Sequence, residues 1–416
     1  MTKTKQAVIL AAGESSRFWP LNQAHKSLFK IMGRSLICYT LENLKKAGIK
    51  EVVIVQGASR DIEKECRKGK IPIEIIFAVQ KKPLGTGHAL LCAKKYLDEK
   101  FLVLNGDDYY NVESIKGCLK KFPSVLVKKT DNWRDYGVWT TDKDHLKDII
   151  EKPKRYVSNL INCGVYHLPK SILEEKIGKS ARGEYEILDY LKQLIKKQKL
   201  YFFKTDNWIP FSYCWDLFDI NECLLQNIKT EILGKVEKNC EIKGRVIIKK
   251  GALVKSGTYL EGPVFIGQNS QIGPNCYLKK FTSVGRNCKI GQGVEVKNSI
   301  IGDNSRISHL SYLGDSIVGE NCNLAAGTIF ANLRFDGKNI KSEIKNKIIE
   351  TKRKKFGAVL GKNTKLGINV SLMPGVLVGR DCVVGPKSVV AANLEDGTIF
   401  YTKFQKIVKE KRSIKN

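Results

Sequence analysis

A chain of 416 residues with 42% apolar content is long enough for two domains with separate cores, which excludes a disordered protein. It carries no run of about 18 apolar residues, and Met-Thr-Lys-Thr-Lys-Gln leads straight into a strand pattern without a signal-peptide core, so a cytoplasmic protein with no membrane partner is expected. The formal charge of +30 raises nucleic-acid binding, but the basic residues spread over both halves without interleaved stacking aromatics, so pockets for anionic small molecules are the favoured reading.

From residue 6 to about 230, short apolar runs alternate with amphipathic helical segments. The order is A-V-I-L, S-L-I-C-Y-T-L-E-N-L-K-K-A-G, E-V-V-I-V, I-E-I-I-F-A-V, G-H-A-L-L-C-A-K-K-Y-L and F-L-V-L-N-G-D. This is the grammar of an α/β domain, placed at residues 1–231. Gly48 closes the first helix, with Lys45 and Lys46 in its last turn. The loop after the first strand, Ala11 to Arg17, is poor in side chains. It lies at the carboxyl end of a strand, where open α/β sheets bind ligands and where backbone N–H groups can approach a phosphate.

Near residue 232 the pattern changes. Every sixth residue from Val236 is aliphatic: Val236, Ile242, Ile248, Val254, Leu260, Ile266, Ile272, Leu278, Val284, Ile290 and Val296, and the comb returns from Leu360 to Val390. A strict six-residue period belongs to a parallel β-helix whose coils stack these aliphatics inward. This second domain is placed at 232–394, with a loop excursion at 331–357 and a basic C-terminal tail at 395–416. The twelve cysteines occur singly, never as C-x-x-C, which argues against zinc ribbons and redox dithiols. Those in N-C pairs, such as Cys276 and Cys288, read as small corner fillers. The comb slips between 296 and 313 and breaks from about Ala331 to Phe356, so a second active site is sought in those two places.

Arg17, Lys26, Q-K-K-P-L-G-T-G-H-A (80–89), L-N-G-D (104–107), D-Y-G (135–137), E-K-P (151–153) and I-N-C-G (161–164), in this order, resemble the sugar-1-phosphate nucleotidylyltransferases over the first 230 residues. The resemblance implies a Rossmann-like α/β domain with a mixed sheet. It also implies that Leu10, Ala11, Ala12, Gly13, Gln80, Gly85 and Thr86 hold the nucleotide, UTP or dTTP, while Arg17 and Lys26 grip its triphosphate. Asp107 and Asp216 would bind Mg²⁺, and Gly137, Glu151, Lys152 and Asn162 would line a hexose- or hexosamine-1-phosphate pocket. By residue chemistry alone, Asp107 follows a buried strand as a turn residue or a metal ligand, and Asp216 binds metal or caps the next helix. The family has proline where this chain has His25, and a second glycine where it has Ser15.

The comb itself resembles hexapeptide-repeat acyltransferases, which implies a left-handed parallel β-helix and a homotrimer. I-S-H-L-S-Y-L-G-D-S (307–316), N-C-N-L-A-A-G-T and A-N-L-R-F-D-G-K resemble the acetyltransferase half of the archaeal-type bifunctional enzymes. Those enzymes convert glucosamine-1-phosphate to its N-acetyl form and then to UDP-N-acetylglucosamine. Acetyl transfer to an amine needs a base near neutral pKa, and the resemblance implies His309 in that role with acetyl-CoA as co-substrate. Lys279 and Lys297 would hold the sugar phosphate, Tyr312, Asn323 and Asn332 the sugar, and Lys338 would close over the site. Two alternatives stand beside this reading: a nucleotidylyltransferase whose β-helix serves assembly alone, and a non-catalytic regulatory subunit.

Overall fold

The computed structural model describes residues 4–405 except 70, 72 and 181. It divides into two compact units, Met1–Cys223 and Leu224–Asn416.

Unit one is built on a nine-stranded mixed sheet. Strands Glu74–Val79, Glu51–Gln56, Gln6–Ala11 and Lys100–Asn105 lie side by side in parallel, and Leu160–Pro169 adds antiparallel to the last of them. Gln6–Ala11 is buried along its whole length, as a strand covered on both faces must be, which explains its unbroken apolar run. The helix Leu36–Lys46 ends on Gly48, whose φ of +98° suits glycine. The carboxyl ends of Gln6–Ala11 and Lys100–Asn105 are stitched together where the Gly106 N–H donates to Leu10 O at 2.8 Å. A Cβ on Gly106 would stand 2.6 Å from the Ala11 Cβ, so this close approach requires glycine. The stitch sets Asp107 beside the loop that follows Ala11.

Unit two is a three-sided parallel β-helix with faces of eight, nine and eight strands. The comb from Ile248 to Val390 forms one continuous core, with Val236 and Ile242 packed against its open end. The N-C pairs perform two tasks at one corner. Asn287, Asn304, Asn321 and Asn363 take left-handed backbone conformations and form an amide ladder with spacings of 3.1, 3.1 and 3.2 Å. The following cysteines cap carbonyls of the next coil, Cys288 to Gly302 O and Cys322 to Gly361 O at 3.2 Å each. All twelve cysteines are free thiols.

The slip in the comb has a simple structural form. The Ser270–Cys288 bond joins successive coils 18 residues apart, whereas Ser299–Ser316 spans only 17. From Val296 to Ile301, and again from Leu313 to Val318, the next inward aliphatic arrives one residue early, yet both pairs stay in register. The shortened corner is therefore the same in two successive turns. In the third turn that corner holds the excursion between Ile329–Phe330 and Val359–Leu360, which contains a hairpin of Lys341–Ile344 with Lys347–Glu350. Hydrogen bonds from Ser342 Oγ to Gly375 O (2.8 Å) and from Asn393 Nδ2 to Glu343 O (2.9 Å) lay the hairpin on the coils. The solenoid also continues beyond residue 394: Ile399–Phe400 pairs with Val383–Val384, inside the stretch expected as tail. The end of that stretch, 406–416, lies outside the described residues.

Candidate functional sites

In unit one a cavity of about 470 Å³ opens at the stitched strand ends. It is lined by Leu10, Ala12, Gly13, Arg17, Lys26, Gln80, Gly85, Thr86 and Asp107, together with Asn105 and Pro83, which the motifs contained without a role, and Glu184, which lies outside them. Ala11 is buried behind this wall. Gln80 is held by donating to Gly85 O at 3.0 Å and by a 2.9 Å bond to His88 Nδ1. The Leu84–Gly87 loop is pinned by Tyr185, whose N–H donates to Leu84 O (2.9 Å) and whose carbonyl accepts from Gly87 N–H (2.8 Å). Gly85 sits at φ +99°, and a Cβ there would lie 2.4 Å from Tyr185 O, so both conformation and space demand glycine.

Lys26 is buried at the back of the cavity, where its Nζ pairs with Asp107 Oδ2 at 3.0 Å and donates to Phe211 O at 2.6 Å. Surrounding protein pushes the Asp107 carboxyl up, but the Lys26 ammonium outweighs that and holds it below the usual carboxylate range. Asp108 next to it is pushed up to about 8 by burial and by the Asp107 charge, and it accepts from Tyr110 Oη at 3.0 Å.

The two sequence departures now have local explanations. His25 has φ −55°, inside the range proline would impose, and its Nδ1 caps the following turn by accepting from Ser27 N–H at 3.3 Å. Burial lowers its pKa to about 4, so the ring is neutral. Ser15 has an unstrained φ of −90°, and its Oγ accepts the Lys26 backbone N–H at 2.9 Å. The hydroxyl ties the loop to the lysine segment.

Asp216 lies outside the cavity wall. Its Oδ2 accepts the N–H groups of Ser212 (2.7 Å) and Tyr213 (2.8 Å), so these bonds brace the turn that ends on it, Cys214–Asp216, and not the following helix that the alternative reading had it cap. Tyr213 in turn lies beneath the Arg17 guanidinium, 5.9 Å from ring centre. A Mg²⁺ ion takes only one or two protein carboxylates and completes its shell with phosphate and water. Asp107, 44% exposed at the cavity, fits that demand.

The expected sugar residues gather on neighbouring strands, apart from the cavity lining. Gly137 pairs with Glu151, and a Cβ on Gly137 would stand 2.9 Å from Glu151 Oε2. Asn162 follows the Ile161–Val138 bridge, donates to Tyr166 Oη at 2.7 Å, and has a buried Oδ1 without a partner among the described residues. Lys152 is in a left-handed conformation, with its N–H donating to Tyr136 O at 3.0 Å. Burial raises the Glu151 pKa.

In unit two the shortened corner collects most of the expected residues. Tyr277, Glu295 and Tyr312 stack in register on one face, and Lys279 Nζ pairs with Glu295 Oε1 at 2.8 Å. Asn332 Nδ2 donates to Asp315 Oδ2 at 2.6 Å and lies 3.3 Å from Tyr312 Oη. Lys297 is half-buried on the same corner. Burial lowers its pKa, Asp315 opposes that, and the Lys355 ammonium close by reinforces it. His309 ends the preceding strand Arg306–His309 and is exposed; the imidazole makes no hydrogen bond to the Lys297 cluster among the described residues. Lys338 is exposed on the excursion, where its N–H donates to Asp336 Oδ1 at 3.1 Å. Asn323 is placed differently: it lies on the adjacent face, in register with Arg306 and Lys365, and does not join Tyr312 and Asn332 within one chain. Asp315 was quoted in a motif without a role, and Asn298 and Lys355 lay outside the motifs, since their contacts link residues one coil or one excursion apart.

The nucleotidyl transferase family model matches residues 6–226. The GMPPB C-terminal domain matches 260–354, and six bacterial transferase hexapeptide repeats match 357–392. Among curated proteins, a bifunctional protein GlmU of Methanocaldococcus jannaschii is 39% identical over 409 residues, covering 97% of this chain and 99% of the relative. A bifunctional protein GlmU of Methanococcus maripaludis is 41% identical over 414 residues, covering 98% of this chain and all of the relative. A bifunctional sugar-1-phosphate nucleotidylyltransferase/acetyltransferase of Sulfurisphaera tokodaii is 39% identical over 404 residues, covering 95% and 99%.

Proposed function

We infer the chemistry from one premise: this chain belongs to the family of bifunctional sugar-1-phosphate nucleotidylyltransferase/acetyltransferases, whose relatives match it from end to end. It is a bifunctional enzyme that acetylates glucosamine-1-phosphate with acetyl-CoA. It then transfers a uridylyl group from UTP to N-acetylglucosamine-1-phosphate, releasing pyrophosphate and giving UDP-N-acetylglucosamine. The observation that supports the assignment of sites is that Arg17, Lys26, Gln80 and Asp107 line one cavity in unit one, while Lys297, Tyr312 and Asn332 meet around Asp315 at one corner of unit two.

In unit one an ionised oxygen of the sugar phosphate attacks the α-phosphorus and pyrophosphate leaves, so no protein base is required. The work is positioning and neutralisation of charge. Leu10, Ala12, Gly13, Gln80, Gly85 and Thr86 hold base and ribose, with Ala11 supporting the loop from behind. Arg17 and Lys26 hold the triphosphate, and Lys26 exchanges Asp107 for phosphate as the nucleotide enters. Asp107 and Asp216 would hold Mg²⁺, which would supply neutralisation of phosphate charge. Gly137, Glu151, Lys152 and Asn162 take the sugar.

In unit two His309 removes a proton from the substrate ammonium and releases it to solvent, the freed amine attacks the thioester carbonyl, the C–S bond breaks, and the CoA thiolate leaves and takes up the second proton that the nitrogen sheds as the amide forms. Lys279 and Lys297 hold the phosphate, while Tyr312 and Asn332 hold the sugar. Lys338 closes from the excursion. We assign Asn323 to the site of an adjoining copy, because it faces away from Tyr312 in its own chain, and we propose a homotrimer in the cytoplasm. The exposed Leu310 (67%), Ile329 (40%) and Val389 (56%) supply apolar area for such contacts. No helix among the described residues is long and apolar enough to cross a membrane.

The test is product analysis of the full chain with Mg²⁺, acetyl-CoA and UTP. Glucosamine-1-phosphate gives UDP-N-acetylglucosamine only when acetyl-CoA is present, and N-acetylglucosamine-1-phosphate gives it without acetyl-CoA. Uridylyl transfer with no acetyl transfer to any amino-sugar phosphate would leave the β-helix as scaffold and refute the bifunctional reading.

A further inference from the structure

Asp315 is only 5% exposed, and it sits at φ +49° on the corner that the shortened coil creates. Its Oδ1 accepts Asn298 Nδ2 at 2.7 Å and its Oδ2 accepts Asn332 Nδ2 at 2.6 Å, while its N–H donates to Lys297 O at 2.9 Å. Three successive turns of the solenoid, at Asn298, Asp315 and Asn332, are thus tied through one buried carboxylate. An amide has one donor side and one acceptor side, and a carboxylate accepts only donors. Asp315 therefore fixes which way both amides face. The Asn332 donor side is spent on Asp315 and Tyr312 Oη, which leaves its carbonyl oxygen to receive a ligand N–H or O–H. The cost of this arrangement is visible at Asn298, whose Oδ1 is buried and unpaired among the described residues. A core chosen only for stability would not retain that orphan.

We propose that Asp315 is the positioning residue of the acetyl-transfer site: it orients Asn332 and Tyr312 toward the amino sugar and sets the field in which Lys297 receives the sugar phosphate. The inference rests on the acetyltransferase reading above. Asp315 faces Lys297 from the next coil, Lys355 faces it from the far end of the excursion and Lys279 from the coil before. Beyond these stand Glu295, paired with Lys279, and Tyr312. Lys355 is anchored there by the antiparallel bridge to Leu333, and Phe356 N–H donates to Asn332 O at 3.0 Å. With Asp315 as the nearby carboxylate against two ammonium groups, the corner has positive charge left over for a phosphate.

The sign of the pH effect follows. Burial already lowers the Lys297 pKa and the Asp315 charge opposes that, so removing the charge lowers it further. Phosphate binding through Lys297 then fails at lower pH as pH rises.

Asp315→Asn tests the proposal, because asparagine tolerates the left-handed backbone but presents an NH₂ to one of the two amide donors. In the full enzyme the acetyl-transfer kcat/KM for glucosamine-1-phosphate falls on the order of 10²-fold, as expected for a lost bond to a charged group. Its alkaline limb moves to lower pH, the KM for acetyl-CoA holds, and uridylyl transfer to N-acetylglucosamine-1-phosphate is unchanged. Asp315→Glu restores the wild-type alkaline limb while kcat/KM stays low, since the charge returns but the orientation does not. A wild-type kcat/KM and pH profile in Asp315→Asn overturns the proposal. So does an acetyl-transfer loss no larger than the fall in folded fraction seen by circular dichroism and thermal melting of both variants. Wild-type enzyme is run in parallel, so a failure of acetyl transfer there would count against the bifunctional reading and not against Asp315 alone.

Discussion

The two units reach their chemistry by opposite structural routes. The cavity of unit one is made of backbone: a loop poor in side chains after Ala11, a glycine at 106 that lets two strand ends meet, and a glycine at 85 wedged against Tyr185 O. The corner of unit two is made of side chains mounted on a repeating frame, and the frame is altered by one missing residue in each of two turns. A loop site must be held in shape by contacts at its edges, so it is sensitive to added atoms. A solenoid site inherits its shape from the coils, so it is sensitive to the identity of a few polar groups.

That contrast can be broken most forcefully at Gly85. Gly85→Ala places a methyl group 2.4 Å from Tyr185 O at a φ of +99°. Uridylyl transfer is expected to fall about 10²-fold through displacement of the nucleotide loop, while acetyl transfer holds at the wild-type rate in a coupled thiol-release assay. Equal loss of both activities would mean that the units do not behave separately. The Asp315→Asn prediction is its counterpart in unit two, with the affected activity exchanged.

The mildest change sharpens the same comparison. Ser15→Ala removes the hydroxyl that accepts Lys26 N–H at 2.9 Å. One hydrogen bond of this kind is worth about 1 kcal/mol, so the KM for UTP is expected to rise about threefold to fivefold with kcat nearly constant. An unchanged KM would mean that the loop holds its geometry without this tie.

The fold of both halves was legible because periodicity is a direct consequence of burial: residues that face a core must recur at the spacing of the element. The cavity residues were legible for a related reason, since a glycine loop, a lysine and a strand-end aspartate keep a fixed order along the chain. What escaped depended on pairings across space. The slip after Val296 was visible, but only the register of Ile301 with Val318 turns it into a shortened corner. Asp315 lay inside a quoted motif without a role, because its partners are a coil away on either side. Asn323 was grouped with Tyr312 by the family resemblance, although neighbouring strands of a solenoid face different ways. Asp216 and Ser15 have side chains that could serve a ligand or a backbone group, and sequence offers no means of telling which bond is made.

The central claim is that one chain carries two separable sites, and a crossed pair of variants measures it directly. Arg17→Ala is predicted to lose uridylyl transfer by at least about 10²-fold with acetylation intact, and His309→Ala to lose acetylation by at least about 10³-fold with uridylyl transfer intact. Each variant alone then makes no UDP-N-acetylglucosamine from glucosamine-1-phosphate, acetyl-CoA and UTP, whereas an equimolar mixture of the two does, through the released acetylated intermediate. Folded variants that each lose both activities, and a mixture that stays silent, would contradict the account.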